Sequence, residues 1–591
     1  MAGILIGFVI GIPWLGAVAL WLTRDRNPSL QHALAVGFSV AAGIASLALI
    51  PFASARTVID LPVGRYFGNL TFTADGLAVT LTAIACVVGS LAVIFSVDYM
   101  RGEAQLGRFY AFVLLFIGAM SGLLLSGNLL FMFFFWEITA LCSYALISFY
   151  NDDPKAVAGG IKALIVTQVG GVGLLAGALI TYATLGSYQV ADLLAQAGMM
   201  PANLLTLAAF GFLLAAAAKS AQFPFHTWLP DAMEAPTPIS ALIHAATMVN
   251  AGVYLLARFY PAFELVPGWK MAVTVVGLVS ALITAFMALT ATDLKRALAY
   301  STVSQLGYMV YAIGVGGIFA SQFHLLSHAV FKALLFLAAG AVIHATGTRE
   351  MARMGALGKP MPFVRNVFIL GALALAGLPI LNGFWSKELI LEAGLSAGPQ
   401  WAYDGMLLGV GMTAFYTLRM TWLVFFGTAR ETFHVHDAGP AMKVSLGLLA
   451  AGTLTTWLLA GPLSRMLHGT LPFHSIHSLS LFGLAEEVFT APATYLALMV
   501  VAVGLVIFWM VGHQVTTWRE NSQKSGAENW MAILSRESFG FDWLNRQVAG
   551  RTVQFASVLQ KTQTGILSWN VVGILSAFLV ILLYLVWSVM K

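Results

Sequence analysis

Apolar runs of about twenty residues, separated by short polar stretches, recur along the whole of the 591-residue chain. Runs of that length cross the ~30 Å hydrocarbon core of a bilayer as helices. Sixteen such spans begin near residues 3, 32, 76, 108, 128, 161, 204, 239, 270, 299, 321, 364, 404, 444, 492 and 567. The pattern changes in two places. Residues 57–74 gather β-branched and aromatic side chains around Gly64 and Gly68, which predicts a short external hairpin. Residues 514–566 form a long polar connection in which Leu544, Val548, Phe555 and Leu559 keep helical spacing while Arg546, Arg551 and Lys561 can face water. That pattern suits an amphipathic helix lying on the membrane or along a neighbouring subunit, or a tether to the last span.

Two spans are predicted to be broken. Pro224 closely follows Lys219, and Pro379 interrupts the apolar stretch that leads to Lys387. Proline removes a backbone donor and clashes with the preceding turn, so the freed carbonyls need protein or water partners. Paired breaks point to an inverted-repeat transporter core, with Lys219 and Lys387 in equivalent places. The expected organisation is an N-terminal group of helices with the hairpin over 1–107, then repeats over 108–262 and 263–428. Further helices follow over 429–513, with the connector and last span over 514–591.

Composition sharpens the class. The chain is 59% hydrophobic and only 9% charged, where a soluble domain carries about 25% charged residues. This is an all-α polytopic membrane protein. No basic lead or small-residue cleavage site marks the first span as a signal peptide. Of the thirty Lys and Arg, nineteen fall in loops after odd-numbered spans, six in the alternate loops and termini, and five within spans. Arg24, Arg26, Arg101, Arg108, Lys295, Arg296, Arg349, Arg353, Lys359 and Arg365 are among the nineteen. The asymmetry predicts odd-numbered loops in the cytoplasm and both termini outside. The net charge of +5 therefore reflects topology, with no nucleic-acid partner implied. Cys86 and Cys142 lie within spans and read as small buried apolar residues.

Ionisable side chains inside the spans are the candidate chemistry, because a charge near the bilayer centre costs roughly 3 kcal/mol or more and usually faces a wet interior. Glu137 and Lys219 form a candidate switch pair, in which separation would drive a proton off the lysine. His324, His328 and Lys332 follow at i, i+4 and i+8 on one helix face, with neighbours ~6 Å apart, a spacing that suits a proton relay. Two His at that spacing also fit zinc, but third and fourth ligands are not evident, so no metal is expected. His244 could link Lys219 to the stripe. Lys387 and Glu388 are candidates for exit, while Lys162 and His344 lie near span ends, where Lys162 can snorkel. Arg419 reads as structural, since a guanidinium hardly deprotonates. Gly171-Val-Gly173-Leu-Leu-Ala176 matches a dinucleotide fingerprint, but inside an apolar span it reads as small-residue packing. No Walker, CxxC or haem motif is present, so no cofactor is expected and transport energy must come from an ion gradient or partner subunits.

The stretch KSAQFPFHTWLPDAMEAPTPISALIHAATMVNAGVYLLAR at 219–258 resembles the antiporter-like subunits shared by complex I and Mrp-type cation/proton antiporters. FFFWEITALCSYALI at 133–147, DLKRALAYSTVSQLGYM at 293–309, HAVFKALLFLAAGAVIHATGTRE at 328–350 and LNGFWSKE at 381–388 carry the same resemblance. It implies a fourteen-helix core with two inverted five-helix repeats, extended in the L-type subunit by a lateral helix and a final span. It also implies proton-pathway roles for Glu137, Lys219, His244, His328, Lys332 and Lys387. The L-type pattern carries Arg and Asp where this chain has Gln168 and Gly171. The first expectation is therefore a proton-translocating subunit of a multisubunit Mrp-type Na+/proton antiporter in a prokaryotic cell membrane. An L-type subunit of NADH:quinone oxidoreductase or membrane-bound hydrogenase comes second, and a membrane subunit for inorganic-carbon uptake third.

Overall fold

The computed structural model describes residues 1–23, 25, 27–55, 57–64, 67–431, 433, 435–524 and 538–562. The predicted final span, Arg24 and Arg26 lie outside the described residues. Thirteen helices among the described residues are long and apolar enough to cross a membrane. Two further predicted spans are helical but differ from these for opposite reasons. Leu294–Gly314 is polar for a span, yet buries every residue except Arg296, so protein and not lipid surrounds it. Pro362–Ala376 is apolar but has only 15 residues, cut short by a break.

Short polar side chains start many of these helices by accepting the backbone N–H groups that the first turn leaves free. Asp75, Asn128, Asp153 and Asp293 cap Gly76–Tyr99, Leu129–Ile147, Pro154–Leu185 and Leu294–Gly314 in this way. The hairpin forms as predicted, with β1 (Thr57–Gly64) antiparallel to β2 (Gly68–Ala74). It is pinned to the helices by Gly127 N–H on the Thr71 carbonyl at 2.8 Å and Asn128 Nδ2 on the Asn69 carbonyl at 2.9 Å.

Both broken spans unwind where the prolines stand. Ala202–Lys219 ends on Lys219, the chain turns through Ala221 at φ 50°, and Pro224 lies in the unwound segment before Trp228–Asp231. The freed groups are satisfied: Trp228 Nε1 donates to the Ala218 carbonyl at 2.9 Å, and Phe223 N–H to Ser280 Oγ at 2.8 Å. In the second break Gly377 (φ 83°) and Ile380 (φ 79°) flank Pro379 before Asn382–Ala397 begins. Here the expected equivalence of the two lysines fails. Lys219 closes the half-helix before its break, whereas Lys387 sits inside the half-helix after its own. A lysine on one side of a proline kink meets different neighbours from one on the other.

A third irregularity was not foreseen. Leu242–Ala246, which contains His244, is a π-helical turn between Thr237–Ala241 and Met248–Phe263. Thr247 Oγ1 donates to the Leu242 carbonyl at 2.8 Å and Asn250 Nδ2 to the Ala245 carbonyl at 2.7 Å, so the loosened backbone is held by side chains. Such turns recur at functional positions. Further along the same helix, Arg258 forms a buried ion pair with Asp75 and donates its Nε–H to the Tyr254 hydroxyl at 3.2 Å.

Within the connector, Phe541–Thr562 is helical. Leu544, Val548 and Phe555 are exposed on it, as are Arg546 and Arg551.

Candidate functional site

Four elements place the intramembrane ionisable groups. Glu137 stands on Leu129–Ile147, Lys219 on Ala202–Lys219, His244 on the π turn, and His324, His328 and Lys332 on Ile318–Thr346. Lys219, His244, His324, His328 and Lys332 are each 0% exposed. None of them points into lipid.

At one end Lys219 donates to the Trp136 carbonyl at 2.8 Å and lies 4.7 Å from the centre of the Trp136 ring. The expected Glu137–Lys219 contact is absent: they form no ion pair within 4.0 Å among the described residues, although each feels the other's charge. Glu137 is half-buried and packs over Gly171, where an added Cβ would stand 2.3 Å from its Oε1. That oxygen has no protein partner. The structure therefore holds this pair separated, with the ammonium resting on a carbonyl and a ring face. A Gly171→Ala substitution should displace the carboxylate without disturbing the helix. Because misplacement by about 1 Å can cost orders of magnitude in rate, we expect about a tenfold loss of proton translocation in a vesicle assay, with assembly intact.

The central stripe follows. The His324 and His328 rings are 6.3 Å apart. His324 Nδ1 meets Ser386 Oγ at 2.9 Å and its Nε2 meets Gln305 Oε1 at 3.2 Å. Lys332 donates to Ser301 Oγ and, at 3.4 Å, to the Leu298 carbonyl. Both ring nitrogens of His328 and of His244 are buried and lack protein partners. His244 packs on Phe336 at 4.7 Å and feels the charges of Lys332 and Lys295. At the other end Lys387 donates to the Leu375 carbonyl at 2.7 Å, 5.9 Å from the centre of the Tyr308 ring. Glu388 beside it is 3% exposed and keeps Oε2 unpartnered.

Sequence reasoning missed the helix that receives these groups. Ser301, Gln305 and Tyr308 on Leu294–Gly314 face Lys332, His324 and Lys387 in turn, at i, i+4 and i+7. That spacing was available as a signal, but neutral polar side chains do not stand out in a search for charge. Ser386 and Lys295 were also overlooked, the latter because it was counted as a loop cation; it is 3% exposed.

Three weaker candidates lie away from the axis. Lys162 does not snorkel. It pairs with Asp231 at 2.7 Å, and Arg296 reaches the same carboxylate at 3.3 Å. His344 is exposed, with its ring 5.4 Å from Tyr99. Arg419, 5% exposed, donates to the Ala291 carbonyl at 2.8 Å and so supports the end of Trp269–Thr290.

Two sequence profiles match the chain: "NADH:quinone oxidoreductase/Mrp antiporter, TM" over residues 126–415 and "NADH-Ubiquinone oxidoreductase (complex I), chain 5 N-terminus" over 61–110. NADH-quinone oxidoreductase subunit L of Escherichia coli is 38% identical across 92% of this chain and 89% of its own length. The Pseudomonas aeruginosa protein of the same name is 39% identical across 82% and 78%. NAD(P)H-quinone oxidoreductase chain 5 of Picosynechococcus is 44% identical, but over 62% of this chain and 58% of that protein. A chain of the Mrp complex from Dietzia is similar in fold, with a TM-score of 0.81 and 28% identity, across 99% of this chain and 63% of its own.

Proposed function

Since this chain belongs to the family of antiporter-like membrane subunits shared by NADH:quinone oxidoreductases and Mrp antiporters, we propose that it translocates protons as the L-type subunit of a multisubunit redox complex in a prokaryotic cell membrane. One observation carries the proton pathway. A succession of buried polar atoms without protein partners runs with the charged groups: Glu137 Oε1, both nitrogens of His244 and His328, Gln305 Nε2, Asn382 Oδ1 and Glu388 Oε2. Buried polar groups in folded proteins are nearly always hydrogen-bonded, to protein or to ordered water. Water beside these atoms would join amines, imidazoles and carboxylates into a chain along which a proton hops. The redox chemistry belongs to other subunits, with other membrane subunits and lipid as this chain's partners.

Residues do the work in named ways. Lys219 holds a proton on a carbonyl and releases it as Glu137 moves. His244 and His328, neutral or charged, receive and pass it. Lys332 and Lys387 store it between neutral partners, and Glu388 accepts it at the far end. Glu137→Gln in the assembled complex is the direct test; unimpaired proton translocation would remove the switch.

The L-type assignment rests on the names of the relatives that match over most of their length. The second reading, a Na+/proton antiporter subunit, is favoured by the Mrp neighbour, which covers nearly the whole chain. Co-purifying subunits separate the two: iron–sulfur partners support the first, small antiporter subunits the second. A soluble zinc protein would instead indicate inorganic-carbon uptake. Expressed alone, the chain is expected not to rescue a sodium-sensitive strain.

A further inference from the structure

A cavity of about 350 Å³ opens on the face that carries the Lys- and Arg-rich odd-numbered loops, lined in part by Tyr99, Tyr150, Asp153, Glu234, Lys295 and Arg349. Arg349 takes both carboxylates nearest its wall, with Glu234 at 3.0 Å and Asp293 at 3.2 Å, and also donates to the Met233 carbonyl at 3.0 Å. Lys295 is left with none of them. It makes no ion pair within 4.0 Å among the described residues, and its Nζ donates to the Ala235 carbonyl at 2.6 Å. Ala235 belongs to the short link, 235–236, that leads into the helix carrying His244. The other end of the link is fixed by Thr237, whose hydroxyl meets Tyr99 Oη at 3.0 Å.

Lys295 thus stands between two environments. One side of it lines a cavity that reaches the surface, and its charge is felt on the other by His244. An ammonium offers three donors, and a buried lysine takes part readily in proton exchange where an arginine does not. Resting on the proton-translocation reading above, we propose that this cavity is the port joining the odd-loop face to the buried axis, with Lys295 as the group that exchanges protons between the cavity and His244. The exchange alters only N–H bonds. One proton leaves Nζ toward His244 through water, and the amine takes another from water in the cavity. Arg349 positions the port by holding Glu234 and Asp293 away from Lys295, so that no carboxylate traps the proton there.

The test uses the assembled complex in sealed vesicles. Lys295→Arg keeps the charge and the reach to Ala235, so a purely structural lysine would be rescued by it. We expect Lys295→Arg and Lys295→Met both to slow proton translocation by about tenfold or more. Native rates in Lys295→Arg would overturn the port. Should either variant fail to assemble, Ile343→Cys on the cavity wall decides. The two native cysteines are buried, so a membrane-impermeant cationic thiosulfonate applied from the odd-loop side should label position 343 and slow translocation. Labelling without slowing would sink the proposal. Lys219→Met separates this idea from its premise. If that variant pumps normally, the translocation reading itself fails; if it is dead while the Lys295 and Ile343 variants run normally, only the port falls.

Discussion

Lys219→Met in the assembled complex should reduce proton translocation to about one hundredth of the native rate or less, the scale of a missing proton-transfer group. Methionine matches the length of the lysine stem and fills the same buried space, so the change removes the ammonium and little else. With the ammonium go a single donation to the Trp136 carbonyl and a ring-face interaction. Because no carboxylate touches Lys219 directly, no buried counter-ion is stranded at bonding distance, and the assembly should survive. Proton uptake by vesicles, read with a pH-sensitive dye beside the electron-transfer rate, separates pumping from turnover. A variant that pumps at more than half the native rate would mean the axis does not pass through this residue.

The second large effect concerns stability. Asp75→Ala should destabilise the protein by about 3–5 kcal/mol, the cost of breaking a buried ion pair from one side. Asp75 and Arg258 are 2% and 6% exposed. The carboxylate also caps Gly76–Tyr99 by accepting the Ala78 N–H at 3.0 Å, which adds about 1 kcal/mol. Asp75→Ser with Arg258→Met keeps a capping hydroxyl and leaves no orphaned guanidinium, so it should lose less than half as much. Thermal unfolding of the purified protein in detergent compares the two. Equal losses would show that the aspartate acts only as a cap.

Spans and stripe were legible in the chain because lipid and helix geometry leave few choices. Twenty apolar residues must cross, and His324, His328 and Lys332 at steps of four must share a face. What neighbouring helices contribute was not legible. Leu294–Gly314 supplies Ser301, Gln305 and Tyr308, residue types common on any helix, and their role appears only when Ile318–Thr346 lies against them. Lys162 and Lys295 were misplaced for a related reason. Charge-counting assigns a lysine near a span end to lipid edge or loop, yet Asp231 holds one and the Ala235 carbonyl the other. The Glu137–Lys219 separation depends on where Trp136 turns its carbonyl, which no spacing rule predicts. The break prolines marked where unwinding occurs, but not on which side of it each lysine falls.

The π turn at Leu242–Ala246 makes this helix sensitive to indels. Such a turn accommodates one residue more than a regular coil, so deleting Ala245 would let the backbone rewind as ordinary α-helix. Everything C-terminal would then rotate by about 100°, swinging Asn250 and the guanidinium of Arg258 out of their interior contacts. A lineage without this single codon would have to rebuild the anchoring on Asp75, whereas substitutions within the turn leave the phase of the helix untouched.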